Sequence, residues 1–368
     1  MIPAHDRTMR NVGLGLYLVG QLVGGLLLLI FFGLGALTQE GVLGGMCIGA
    51  AFALPAGVMY LTVPRLLDRY DPEPWYALLG CFLWGAIASC GFSVAVNTLV
   101  GAAGGESGDW LSAVVSAPLT EELWKGIGVA GVFFFLRREF DGVVDGIIYA
   151  TFTALGFAMV ENIIYYGEAS QHGALGLTFL MRGILFPWGH PVYTAMTGIG
   201  FGLARETEKP WVRVSAPILG YLGAVMLHAI WNGTATIADS VKEGGMLFLC
   251  MLPVWFLFVL TFIVIIVVLV RRRGRIIRHH LQDEVALGNL AQWEVELVCK
   301  AFGVFEARMK WGRKGAEFVR AAARLALSKW HAGRAYRQQM HTVSMDFIVP
   351  LRQKLRELRA EIHRGPSR

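Results

Sequence analysis

Apolar residues fill most of the first 270 positions in long blocks, separated by short polar joints. A helix that crosses a bilayer needs about 20 apolar residues. On that measure the pattern predicts eight spans, near 12–37, 41–63, 76–100, 112–136, 142–166, 174–204, 213–238 and 246–270. The sixth is long and interrupted by Pro187 and Pro191. After Arg271 the texture changes. LQDEVALGNLAQWEVELVCKAFGVFEARMK and AEFVRAAARLALSKWHAG place apolar residues at spacings of three and four with Glu and Arg between, the pattern of amphipathic helices. LRQKLRELRAEIHR reads as a further, very polar helix whose Arg356, Glu357, Arg359 and Glu361 face solvent. The expected fold is all-α: a polytopic membrane protein of about eight transmembrane helices over 1–270, with a basic cytoplasmic helical region over 271–368. No internal repeat is visible, which argues against an inverted-repeat transporter.

Composition agrees with a membrane protein. Hydrophobic residues make up 55% of the 368 and charged residues 16%, where soluble domains carry about 25% charged. Charge is unevenly spread. From Arg271 onward there are 21 basic against 9 acidic residues, a net of +12, while residues 1–270 carry 12 against 18, a net of −6. The tail can therefore lie on anionic headgroups or present an ordinary solvated surface. With the N-terminus inside, the internal loops hold Arg65 and Arg69, then Arg137 and Arg138, then Arg205, Lys209 and Arg213, and RRRGRIIR follows the last span. The external loops hold only Lys242, in the last of them. This alternation follows the positive-inside rule and places both termini in the cytoplasm of a cell-membrane protein. The first apolar run is too long for a signal-peptide core of about 7–15 residues and reads as a retained span. The five cysteines form no CxxC pair, so a disulfide framework or thiolate metal site is not expected. Glycines near Gly20–Gly25 suggest close helix packing.

Charged groups inside a span cost about 3 kcal/mol each on insertion scales and are functional candidates by default. Four clusters stand out. EELWK holds Glu121, Glu122 and Lys125; the lysine is i+4 and i+3 from the two glutamates and can pair with either. Adjacent glutamates point about 100° apart, so the two are not expected to share one partner. GFAMVENIIYY holds Glu161 and Asn162, FPWGHPVYTAMTG holds His190 between its prolines, and MLHAIWNGT holds His228 and Asn232 on one helix face. At 1.5 Å per residue, Glu121 and Glu122 lie about 14 Å below the outer surface, and His228 and Asn232 about 9–15 Å below it. Glu161 falls in the outer half and His190 at mid-span, so four segments bring polar groups to similar depth. Taken singly, each has a structural reading: an ion pair, a cheap carboxylate near the interface, or a satisfied core histidine.

This set contains no Ser/His/Asp arrangement, no paired-Asp motif and no HExxH. A carboxylate beside imidazoles can act as general base on water, with His and Asn donating hydrogen bonds to the oxyanion. Alternatively His190, His228 and Glu121 can hold Zn2+ with an open position. Both routes lead to hydrolysis of a peptide bond within the membrane, and the residues alone leave both open.

The same residues carry a family resemblance. EELWK (121–125), GFAMVEN (156–162), GHPVYTAMTGIGFG (189–202), HAIWN (228–232) and the acidic loop DRYDPEPW (68–75) are similar to the motifs of the PrsW family of intramembrane proteases, relatives of the CAAX prenyl protease superfamily. The resemblance spans roughly 60–235, in order and at matching helix spacing. It implies a membrane-embedded endopeptidase that cleaves a membrane protein such as an anti-sigma factor, with the lipid bilayer and no nucleic acid among its partners. It also implies that Glu121 and Glu122 activate water, that Glu161, His190, His228 and Asn232 complete the site, and that Lys125 and Asn162 support it. Of the two glutamates, the HxxxN face favours Glu121 as the one that meets the water. The family's classification as a metallopeptidase implies Zn2+, while a metal-free glutamate route is described for the wider superfamily. The tail from 271 has no counterpart in it. Two rivals remain: a proton- or ion-coupled transporter, which needs polar groups continuing into the inner half, where Asp145 is the only strong candidate, and a catalytically inactive scaffold or sensor recruiting partners through the tail.

Overall fold

The computed structural model describes residues 4–33, 40–67, 70, 72–240, 244–337 and 344–364. Asp68, Arg69 and Asp71 of the acidic loop, and Lys242, lie outside the described residues. Every regular element among the described residues is helical. The chain divides into two compact units, Met1–Leu66 with Glu73–Ile263, and Leu67–Pro72 with Val264–Arg368.

In the first unit the helices are α1 (Ala4–Leu28), α2 (Val42–Tyr60), α3 (Trp75–Ala103), α4 (Ala117–Phe135), α5 (Val143–Gln171), α6 (Leu175–Phe179), α7 (Gly189–Glu206), α8 (Pro210–Ser240) and the start of α9 (Gly244–His280). α5 is the central rod. Of its most apolar stretch 89% is buried, against 11% in the first span. Glycine permits close backbone approaches to α5. A Cβ on Gly146 of α5 would sit 2.1 Å from the Gly198 carbonyl of α7, and one on Gly85 of α3 would sit 1.8 Å from the Thr153 carbonyl of α5. Any larger residue there would separate these backbones.

Six described helices are long and apolar enough to cross a membrane: Thr8–Gly33, Val42–Pro64, Trp75–Ala103, Val143–Gln171, Pro210–Ala238 and Leu249–Ala286. The other two expected spans fall short for different reasons. Residues 111–135 form a continuous helical run, but Glu121, Glu122 and Lys125 interrupt its apolar surface. The 174–204 segment is two pieces: α6 continues as a π-helical turn through Leu185, the chain breaks at 186–188, and α7 begins at Gly189. Pro187 makes the break. Pro191 does not, because it lies in the first turn of α7, where no helical N–H is required.

Four π-helical stretches, Leu29–Gly33, Trp84–Ser89, Leu111–Ser116 and Leu180–Leu185, interrupt the regular α-helical ladder among the described residues of this unit. Such turns re-aim carbonyls away from the regular ladder. Two of them accept side-chain donors: the Ala113 carbonyl accepts from Asn232 Nδ2 at 2.8 Å, and the Gly183 carbonyl accepts from the Tyr60 hydroxyl.

The second unit is the continuation of α9, α10 (Gln282–Ala286), α11 (Gln292–Cys299), α12 (Gly303–Arg337, kinked at Trp311 and Gly312) and α13 (Ser344–His363). Its core gathers Ile277, Leu281, Val295, Phe318, Leu325 and Leu355. Tyr70 joins it, its hydroxyl donating to the Cys299 carbonyl at 3.2 Å. In α13, Arg356, Glu357 and Glu361 are exposed as expected and Arg359 is half-buried. Leu355, Leu358 and Ile362 form a buried stripe, and docking that stripe turns neighbouring arginines onto buried acceptors. Arg356 Nε donates to Asn289 at 2.8 Å, and Arg359 pairs at 2.9 Å with Glu294, which is fully buried.

Candidate active site

α4, α5, α7 and α8 each bring one part of a single polar network. On α4, Lys125 is fully buried and its Nζ lies 3.3 Å from Glu121 Oε2 and 2.9 Å from Glu122 Oε1. Both glutamates therefore share the lysine. The 100° between their Cα–Cβ directions does not prevent this, because Lys125 sits one turn on, between the two directions, and the glutamate side chains are long enough to converge. The ammonium also lies 3.8 Å above the Phe157 ring of α5, a cation–π contact that strengthens away from water.

His190, at the start of α7, lies between two groups. Its Nδ1 is 3.1 Å from Lys125 Nζ and its Nε2 is 2.8 Å from Glu161 Oε2. An ammonium can only donate, so Nδ1 accepts and Nε2 carries the proton that it gives to Glu161. His228, on α8, is arranged the other way round. Its Nδ1 lies 3.1 Å from Glu122 Oε1 and its Nε2 lies 3.9 Å from Glu121 Oε2. A neutral ring that donates from Nδ1 to the carboxylate keeps its Nε2 lone pair pointed at Glu121. The His190 and His228 rings meet edge to face with centroids 5.1 Å apart.

Glu122 has no exposed surface and is held by three groups: Lys125, His228 and the Thr194 hydroxyl, which donates to its Oε2 at 2.8 Å. Glu121 has one close partner, Lys125, and otherwise faces His228 Nε2. The two adjacent carboxylates thus differ in freedom: one is fixed from three sides, while the other keeps acceptor capacity toward the imidazole.

Arg182 and Thr194 belong to this network although the sequence reading did not single them out. Arg182, in the π turn after α6, pairs with Glu161, donates from Nε to Asn162 Oδ1 at 2.8 Å and lies 3.9 Å over the Tyr165 ring. Asn162 thereby joins the site through the arginine. An arginine in the apolar run LMRGIL carries the same intramembrane-charge signal as the glutamates; Thr194, a hydroxyl inside a helix, carries none. Asn232 is not in direct contact with the carboxylates, its amide donating to the Ala113 carbonyl. Tyr193 stacks on His228 with centroids 5.2 Å apart, and its buried hydroxyl has no partner among the described residues. Asp145 is a capping group: its carboxylate accepts from the backbone N–H of Asp141 at 2.7 Å and of Gly142 at 3.1 Å, at the start of α5. That role accounts for the polar residue on which an inward proton relay would depend.

Glu121, His190 and His228 each offer one ligand atom, and the three atoms lie within 4.8 Å of one another. Two imidazoles and a carboxylate are the donors of hydrolytic zinc sites. Each imidazole also has a second carboxylate, Glu161 or Glu122, on its other nitrogen, the outer arrangement that orients metal-bound histidines. The donor set therefore fits a divalent metal. In the structure the His190 nitrogen that faces inward accepts from Lys125 instead.

A buried glutamate–histidine site held between apolar helices defines a membrane-embedded hydrolase. The sequence model of the PrsW family intramembrane metalloproteases matches residues 73–268, just over half of the chain, and the chain belongs to that family. It is similar to Protease PrsW of Geobacillus kaustophilus strain HTA426, 28% identical over 204 residues, which cover 54% of this chain and 84% of the relative. It is likewise similar to Protease PrsW of Clostridioides difficile strain 630, 28% identical over 170 residues (46% and 71%), and of Bacillus subtilis strain 168, 26% identical over 185 residues (50% and 81%). No solved structure matches the chain. The chain is thus an integral membrane protein and an intramembrane endopeptidase, and the transporter and inactive-scaffold readings fall away.

Proposed function

We propose that Glu121 activates the water that attacks a peptide bond of a membrane protein substrate, and that Glu122 positions His228 for the same step. The observation that carries this reading is the 3.9 Å separation of Glu121 Oε2 from His228 Nε2. Two acceptors at that distance can share one water, which donates one hydrogen to each. Glu121 takes the proton as the water attacks the carbonyl carbon, and passes it to the departing amine. The Tyr193 hydroxyl is a donor available to the oxyanion, while the neutral His228 accepts from the water and orients it. Lys125 neutralises much of the paired carboxylate charge and keeps the site compact. Glu161 and Arg182 hold His190 in its orientation.

Glu121, His190 and His228 would be the protein ligands of Zn2+, which supplies a Lewis acid that polarises the carbonyl and acidifies water. Stoichiometric zinc in the purified protein, lost together with cleavage in His190→Ala, supports that addition. Full cleavage in the presence of chelator contradicts it and leaves the glutamate route.

The substrate class follows the family: an anti-sigma factor or similar single-span protein, cleaved near the outer face of the cell membrane, with both termini of the protease in the cytoplasm. Quantitative comparison of membrane-protein termini between wild-type cells and cells carrying Glu121→Gln tests the reading. A new terminus within or beside a transmembrane segment that is present only in wild type identifies the substrate. Identical terminus profiles, in cells where the wild-type protein is expressed and folded, contradict it.

A further inference from the structure

The second unit carries apolar surface that its own core does not use. In the first part of α12, Gly303 and Ala307 are buried, and Val304 and Trp311 pack against the core. At 100° per residue, Phe302, Phe305 and Met309 fall within about 60° of one another on the opposite side. They are 77%, 64% and 73% exposed. A helix that is apolar on both sides offers one of them to something outside the fold. The rim of this row is basic. Lys300 pairs with Glu306, Arg313 with Glu317 and Lys314 with Glu361. Arg308 has no ion-pair partner among the described residues, and the Lys310 ammonium lies 4.7 Å from the Trp311 ring and 5.2 Å from that of Trp293.

We propose that this face docks on the anionic headgroup surface of the bilayer, on the side where the chain leaves the membrane at Arg271. Three observations favour that occupant. First, α9 runs without interruption from its apolar part to His280, so one continuous helix carries the chain from the last apolar stretch into the second unit. Second, the region from 271 carries 21 basic against 9 acidic residues, which complements anionic lipid and opposes a second copy of itself. Third, an exposed row of Phe and Met flanked by long basic side chains is the composition of interfacial helices. The rings enter the headgroup layer, while the Lys and Arg stems lie along it with their charges outward. This docking is independent of what the site cleaves.

The test uses the full chain with its native cysteines replaced and Met309→Cys labelled with an environment-sensitive fluorophore. It is reconstituted one copy per nanodisc, in phosphatidylcholine with or without phosphatidylglycerol. Met309 is exposed, so the substitution leaves the core intact; a second label at Phe302→Cys guards against a local effect. In discs containing phosphatidylglycerol the emission shifts to the blue and is quenched by nitroxide lipids labelled near the headgroup. High salt or Arg308→Glu with Lys310→Glu reverses most of both changes. A label that stays water-like and unquenched in both disc types overturns the proposal. So does a blue shift that needs two copies per disc and is insensitive to lipid nitroxide, which would assign the face to self-association.

Discussion

The two ring nitrogens of His228 face two different carboxylates: Nδ1 lies 3.1 Å from Glu122 and Nε2 lies 3.9 Å from Glu121. Glu122 thereby sets which nitrogen carries the proton, and the lone pair is left on the side where Glu121 also points. Glu122→Gln keeps the size of the side chain but can present an N–H to Nδ1 and reverse that choice. Loss of such a supporting contact typically costs about 10–100-fold in activity. Single-turnover cleavage should fall by that factor with substrate affinity unchanged. A rate equal to wild type would remove Glu122 from the mechanism.

Lys125 is the only cation in direct contact with Glu121 and Glu122 among the described residues, and it is fully buried. Removing one partner of a buried ionic cluster leaves the other charges uncompensated, at a cost of about 3–5 kcal/mol. Lys125→Met should therefore lower the thermal unfolding temperature of the detergent-solubilised protein by many degrees. Cleavage should be lost with it. An unchanged melting curve would show that the carboxylates are balanced elsewhere.

Arg182 acts through Glu161 and Asn162, not on the substrate. Its planar fork reaches both at once, which a lysine ammonium cannot reproduce. Arg182→Lys should leave the protein folded and lower kcat about tenfold with little change in KM, as expected when an oriented hydrogen bond worth about 1.4 kcal/mol is lost. A rise in KM at constant kcat would instead place Arg182 in substrate binding.

The glutamates and histidines of the site were legible in the sequence because each is costly in an apolar run, and the 1.5 Å rise per residue brings them to one depth. The partners were not. Arg182 reaches Asn162 and Glu161 from a π-helical turn just before the Pro187 break, a local geometry that the sequence does not aim. Asn232 was expected to share the site with His228 because regular helical spacing puts both on one face. It reaches instead a carbonyl in the π-helical turn at 111–116, a departure from 3.6-residue periodicity with no sequence mark. In α13 the polar composition hid the buried stripe of Leu355, Leu358 and Ile362, beside which Arg356 and Arg359 reach Asn289 and Glu294.

Glu284 is fully buried in the second unit, where it accepts from Arg352 Nη2 at 2.7 Å, Lys329 at 3.1 Å and Asn289 at 2.6 Å. Arg352→Leu removes its main charged donor, a hydrogen bond worth about 1.5–3 kcal/mol. Hydrogen exchange of the full chain should then speed up across residues 344–364 and leave α5 as protected as before. Unchanged protection in α13 would mean that its apolar stripe alone holds it.

The central claim is that Glu121 is the base. Its most direct test is single-turnover cleavage of an identified membrane substrate by the wild-type chain and by Glu121→Gln, co-reconstituted in the same liposomes, alongside melting curves of both proteins. A positioned base contributes about 10²–10⁴-fold. The account predicts a loss of that size in Glu121→Gln with the substrate still bound and the melting curve unchanged. Cleavage within a few-fold of wild type would contradict it.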